Sequence, residues 1–132
     1  MSIATKSMKD PIEPKRDGLR ILATRFRGHR VSHTQYDVWM ANLAPSDPLL
    51  EDFLSKKITW PQFRVRYRQE MLHGAGYEEP NHKLRNSGQK FTIRLLARLA
   101  RDTPITLLCH CPHDEQHCHR HILEQLIRTI KV

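Results

Sequence analysis

All three cysteines and five of the nine histidines of the chain lie between Cys109 and His121. The segment reads Cys109-His110-Cys111-Pro112-His113-Asp114-Glu115-Gln116-His117-Cys118-His119-Arg120-His121. Three chemistries suit it. In the first, Cys118 is a nucleophile at the start of a helix. The helix N-terminus and Arg120 favour its thiolate, and His119 is the proton-transfer partner. In the second, Cys109, Cys111, Cys118 and His119 hold a metal. Zinc takes four ligands in structural sites and three plus water in catalytic ones, and three thiolates could hold an iron–sulfur cluster with one open iron. The spacing Cys-x-Cys-x6-Cys-His-x-His has no Cys-x2-Cys pair and is not a zinc-finger spacing. In the third, Arg120 and the helix N-terminus grip an anion, helped by Arg25, Arg27 and Gly28 from the end of another strand.

Plainer roles compete with these. Cys109 is most simply core packing, since free cysteine is among the most buried residue types. His113 and His117 read as surface residues. A c-type haem site needs Cys-x-x-Cys-His, and position 115 is Glu. A Cys-x5-Arg phosphate loop fails too, because His117 follows Cys111 at that distance and Glu124 follows Cys118. No Gly-rich phosphate loop is present.

The elements that must position this segment are legible in outline. Ile105 to Cys109 is a continuous apolar run, as in a strand buried on both faces. From about Glu115 to Ile130, the residues Ile122, Leu123, Leu126, Ile127 and Ile130 form one helical stripe. The cluster therefore joins a strand end to a helix start, where ligands bind in open α/β sheets. Upstream, Ser2 to Met8 and Gly18 to Phe26 read as strands, the first followed by a proline-spaced loop from Asp10 to Pro14. Tyr36, Trp39, Met40 and Leu43 share a helical face, ended at Ala44-Pro45. A helix starts at Asp47 with Pro48 in its first turn and Ser46 or Asp47 as cap. Thr59 to Gln62 is a capping box for a helix with Phe63, Tyr67 and Met71 inward and Arg64, Arg66 and Arg68 outward. Gly74 to Gly88 is loop-like, and Phe91 to Leu99 is helical. Strand, helices, strand and helix predict a single α/β domain over residues 1–132. Its sheet is expected to be small and mostly parallel, of about three strands, in a Rossmann-like three-layer arrangement.

Composition narrows the partners. The chain has 132 residues, 39% of them hydrophobic, and a net charge of +8, with a pI near 9.8. A surplus this large draws anionic partners, either small phosphorylated molecules or nucleic acid. Arg25, Arg27 and Arg30 form one basic cluster, and Arg64, Arg66 and Arg68 another. The second cluster is the basis for an alternative reading as a non-enzymatic nucleic-acid-binding module. Phe26, between two arginines at a strand end, is placed to stack on a base. No apolar run is long enough to cross a membrane, no signal-like apolar segment follows Met1, and three cysteines make no disulfide framework. These features predict a cytoplasmic protein.

The residues also resemble a known family. Leu19-Arg20-Ile21-Leu22 leads to Arg25 and Gly28. Trp39 with Leu43-Ala44-Pro45-Ser46 follows, then Phe63 with Tyr67, and finally Leu107-Leu108-Cys109 with Cys118-His119-Arg120. In that order they resemble the bacterial "domain of unknown function 488" family, in its short single-domain form. The resemblance implies an α/β fold and a bacterial cytoplasmic protein, and it implies no established activity. Where the family carries Trp-Pro-Arg-Gly, this chain has Arg25-Phe26-Arg27-Gly28, so only Arg27 and Gly28 align. Cys111 and the neighbouring histidines lie outside the family pattern.

Overall fold

The computed structural model describes residues 1–74 and 88–132. The interior of the loop expected between Gly74 and Gly88 lies outside the described residues. The elements in chain order are β1 (Ile3–Ser7), α1 (Pro14–Asp17), β2 (Leu19–Leu22), β3 (Val38–Trp39), a 3-10 turn (Ala41–Leu43), α2 (Asp47–Leu54), α3 (Trp60–His73), α4 (Lys90–Leu99), β4 (Ile105–Cys109) and α5 (His119–Thr129). Four parallel strands form one sheet in the order β1-β4-β2-β3. The architecture is α/β as expected, with one short edge strand more than the sequence suggested.

Strand β4 sits between β1 and β2, and all five of its residues are buried. Its apolar run therefore reflects cover on both faces. Register then sorts the side chains. Ile3 aligns with Ile105 and Leu19, Thr5 with Leu107 and Ile21, and Ser7 with Cys109. Successive side chains alternate faces, so these rows share one face. There Ile3, Ile21, Ile105 and Leu107 join the core with Ile122, Leu123, Leu126 and Ile127 of α5 and with Phe63, Tyr67 and Met71 of α3. Each such side chain contributes about 1.5–3 kcal/mol by leaving water.

The opposite face carries Lys6, Arg20 and Thr106 beside the fully buried Leu22 and Leu108, and α1 meets it through Asp17. Asp17, 2% exposed, ion-pairs with Lys6 at 2.8 Å and with Arg20, and it accepts the Glu13 N–H at 3.0 Å. Arg20 Nε donates to the Gln35 carbonyl at 2.9 Å. Thr106 Oγ1 donates to the Asp17 carbonyl at 2.8 Å. Gly18 has φ +61°, and any Cβ there would collide with the Pro104 carbonyl, so only glycine allows this turn into β2.

Helix starts follow their caps. Ser46 Oγ accepts the Leu49 N–H at 3.3 Å and donates to Glu70 at 2.5 Å. Thr59 and Gln62 form the reciprocal capping box of α3. Three expectations change. Tyr36 to Leu43 is not a helix: Val38 and Trp39 pair with Ile21 and Leu22 as the sheet's edge strand, followed by the 3-10 turn. Pairing with β2 satisfies this backbone, and Trp39 is 44% exposed rather than core. Strand β2 stops at Leu22, well short of Phe26. Helix α5 begins at His119, with Cys118 as its N-cap, rather than near Glu115.

Burial opposes the charge on Asp17, but Lys6, the Glu13 N–H and Arg20 outweigh it and hold the carboxyl below its ordinary 3.8. A depressed carboxylate stabilises the fold above its unfolded pKa, and that stabilisation is lost as pH falls through the folded value. Asp17→Ala leaves Arg20 buried without its partner and is expected to cost about 3–5 kcal/mol at neutral pH. Urea unfolding midpoints should show the difference from wild type shrinking as pH is taken below 3.8. A pH-independent difference would place the effect in packing alone.

Candidate metal centre

Cys109, the last residue of β4, lies on the core face of the sheet beside Ser7. The chain then loops over the carboxyl ends of the strands and returns at Cys118. Helix α5 packs its apolar stripe on this same face, which places Cys118 and His119 above the end of β4. On the other side β2 runs on to Ala23, whose N–H donates to the Leu108 carbonyl at 3.0 Å. The sheet order thus brings together residues from three separate chain segments.

Cys109, Cys118 and His119 are all buried, and one ligand-type atom from each lies within 4.8 Å of the others. Cys118 Sγ is 4.0 Å from His119 Nδ1. His119 Nε2 is 2.6 Å from the Ala23 carbonyl oxygen. A carbonyl can only accept, so Nε2 carries the proton and Nδ1 presents its lone pair to the sulfurs. Burial pushes the imidazole pKa down, against the pull of the Ala23 carbonyl, and the ring is neutral. Tyr67 meets it edge-on at 5.7 Å and is itself fixed by donating its hydroxyl to the Leu43 carbonyl at 2.7 Å.

The three thiols behave as one titrating unit. Hydrogen bonds from Cys111 and Cys118 outweigh burial and lower Cys109 to about 3, with the Cys111 N–H and Arg120 assisting. Those same hydrogen bonds, and burial, push Cys118 up, and Cys109 raises Cys111. The sequence placed a thiolate on Cys118 because a helix N-terminus and Arg120 adjoin that residue; in the structure its titration is tied to those of Cys109 and Cys111.

The arginines divide. Arg120 is 1% exposed. Its Nη atoms donate to the carbonyls of Cys111 at 3.4 Å, Pro112 at 3.1 Å and His113 at 3.0 Å, which clamps the loop that carries Cys111. Its Nε has no hydrogen-bond partner among the described residues. Arg25 pairs with Asp47 at 3.0 Å and reaches the Pro45 carbonyl at 3.2 Å. Arg27 is exposed and has no ion-pair partner among the described residues. Gly28 has φ +101° and lies against the His110 ring. Cys111, half-buried, is the one member of the thiol group reached by solvent.

Other supports carried no clear sequence signal. Asp10 accepts the Ser7 N–H at 2.9 Å and contacts His113 Nδ1 at 2.7 Å, so the exposed His113 anchors the same loop. His117 stacks on Trp60 at 4.8 Å. Only the short reach from β1 back to an acidic turn hinted at Asp10, and nothing in the spacing hinted at Trp60.

Fold and centre together define a small parallel α/β domain with a thiol–imidazole cluster at the carboxyl edge of its sheet. The family model described as the active DUF488-N3 subclade matches residues 3–131, and the chain belongs to that family. Comparison with curated proteins and with solved structures gave no significant match. No helix among the described residues is long and apolar enough to cross a membrane.

Because His119 is held neutral, its folded pKa lies below the ordinary 6.5. Between that value and 6.5 the unfolded chain binds a proton that the folded chain does not, so stability falls as pH drops below 6.5. In chelator-treated protein, His119→Gln is expected to remove that part of the pH slope in urea unfolding. An unchanged slope would assign it to other groups.

Proposed function

We propose that this domain binds a thiophilic divalent metal, zinc foremost, through Cys109, Cys118 and His119, with Cys111 as the fourth donor. One observation carries the reading: His119 gives its Nε2 proton to the Ala23 carbonyl and turns a free Nδ1 toward two buried sulfurs within 4.8 Å. Metal-bound histidines characteristically donate their other ring nitrogen to a carbonyl or carboxylate, which fixes tautomer and aim. A histidine buried only for packing has no need of sulfur partners.

The spacing supports a single ion. Donor atoms around tetrahedral zinc stand about 3.3–3.8 Å apart, given metal–ligand bonds near 2.0–2.3 Å, so a span of 4.8 Å needs only a small inward movement. An iron–sulfur cluster places several atoms between its thiolates and calls for a wider opening. The coupled thiols also favour metal, because an ion replaces the protons that Cys111 and Cys118 now share with Cys109. The reading of Cys118 as a free nucleophile is less well supported, since that residue is 3% exposed and its sulfur lies with Cys109 and His119 in one buried cluster.

Two buried cysteines and a histidine with a more accessible fourth donor suit a centre with a replaceable position, as in catalytic zinc sites. The word "active" in the family description agrees with a chemical role. Free thiols in this number suit the reducing cytoplasm.

Protein purified without added metal should carry about one equivalent of zinc, and exchange into cobalt should give the thiolate-to-metal and visible bands of a tetrahedral site. Cys109→Ser and Cys118→Ser should lose the ion, whereas Cys111→Ser should keep it with about 10–100-fold weaker affinity. Protein that takes up neither zinc nor cobalt would overturn the reading.

A further inference from the structure

The carboxyl edge of the sheet has a second built feature beside the centre, the loop from Ala23 to Gly28. Its backbone is tied at nearly every step. The Ala23 carbonyl accepts from His119, and the Thr24 carbonyl accepts the Trp39 indole N–H at 2.7 Å. The Phe26 carbonyl accepts Thr24 Oγ1 at 2.6 Å and faces His110 Nε2 at 3.3 Å. Arg25 is tied to Asp47 and Pro45. The φ of +101° at Gly28 then lets the backbone lie against the His110 ring, where a Cβ would come within 3.1 Å of it.

On this fixed frame two side chains have no partner among the described residues. Phe26 is 72% exposed, and the Arg27 guanidinium has no ion-pair partner among the described residues. A single exposed aromatic is ordinary on a mobile surface. Here the ring extends from a loop whose Thr24 and Phe26 carbonyls are both bonded, the latter facing His110, the residue that precedes Cys111. Arg30, also exposed, extends the positive charge.

We infer that Phe26 and Arg27 form a binding platform for a nucleoside phosphate, the base stacked on Phe26 and the phosphate paired with Arg27, at the solvent-facing side of the centre. An exposed ring and an exposed guanidinium on adjacent residues match that ligand in chemistry and charge. The same chemistry is offered by a free nucleotide and by one unit of a single strand. As the substrate class of the centre, this assignment rests on the metal reading; as a binding site, it stands on the loop alone.

The groove between α3 and α5, about 860 Å³ and lined by Trp60, Arg64, Arg68 and His121, is the competing basic surface. Its aromatic residue is already engaged, since Trp60 stacks on Phe63 at 5.2 Å and on His117 at 4.8 Å. Glu124, on the same wall, adds negative charge.

The test measures binding of AMP and of a short fluorescein-labelled single-stranded oligonucleotide at low salt, with metal content determined on every sample. Phe26→Ala and Arg27→Ala should each weaken binding about tenfold, with metal content unchanged. Phe26→Tyr should restore it, and the Arg64→Ala/Arg68→Ala double variant should bind as wild type. AMP that binds and displaces the strand identifies a nucleotide site; a strand that binds while AMP does not identifies a nucleic-acid site on the same platform. Chelator-treated protein should keep its affinity; protein that takes up neither zinc nor cobalt yet still binds the probes overturns the centre and leaves the platform standing. Binding of neither probe, or binding lost only in the Arg64/Arg68 variant, overturns the platform.

Discussion

The bond from His119 Nε2 to the Ala23 carbonyl fixes most of what happens at the carboxyl edge of this sheet. It joins the first residue of α5 to the end of β2 across the central strand β4. It selects one tautomer of a neutral, buried ring and turns the other nitrogen toward the sulfurs. The next residue, Arg120, does a separate task from the same helical turn by holding three consecutive loop carbonyls. Two adjacent side chains thereby set the aim of the imidazole and the course of the loop that carries Cys111. Neither can be replaced by a residue that merely fills the space, because an unpaired carbonyl or nitrogen in this interior costs about 1–3 kcal/mol.

Sheet order supplies the rest of the geometry. With β4 between β1 and β2, the end of the most buried strand is flanked by Ser7 on one side and Ala23 on the other. The apolar face anchors α5 through Ile122, Leu123, Leu126 and Ile127, so the position of Cys118 is set by core packing. The polar face is held by the Asp17 ion network. Rigidity comes from both faces, while Phe26 and Arg27 are exposed and Cys111 is half-buried at the edge. Those are the residues through which a ligand would arrive, in keeping with the habit of α/β sheets to bind beyond their strand ends.

Much of this was readable from residue types. The run Ile105 to Cys109 announced a strand covered on both faces, Thr59 with Gln62 announced a helix start, and the crowding of Cys and His announced the site. Other features depended on contacts between distant segments. Tyr36, Trp39, Met40 and Leu43 have helical spacing, yet so short a stretch takes whichever partner tertiary structure provides, and β2 offered an open edge. The local surroundings of Cys118 pointed to a thiolate there, whereas its coupling to Cys109 and Cys111 depends on contacts that spacing does not encode. Arg120 looked like an anion-binding residue because it follows a cysteine at a helix start. That its guanidinium faces the 111–113 carbonyls depends on the path of a loop, which spacing does not encode.

The central claim, that His119 Nδ1 and the cysteine sulfurs converge on one ion, is tested most directly by cadmium-113 NMR of protein loaded with that isotope and labelled with nitrogen-15. The account predicts a single cadmium resonance coupled to the β-protons of Cys109 and Cys118 and to Nδ1 of His119, with Nε2 still protonated. Coupling to Nε2 instead, or a cadmium signal with no coupling to His119, would contradict it.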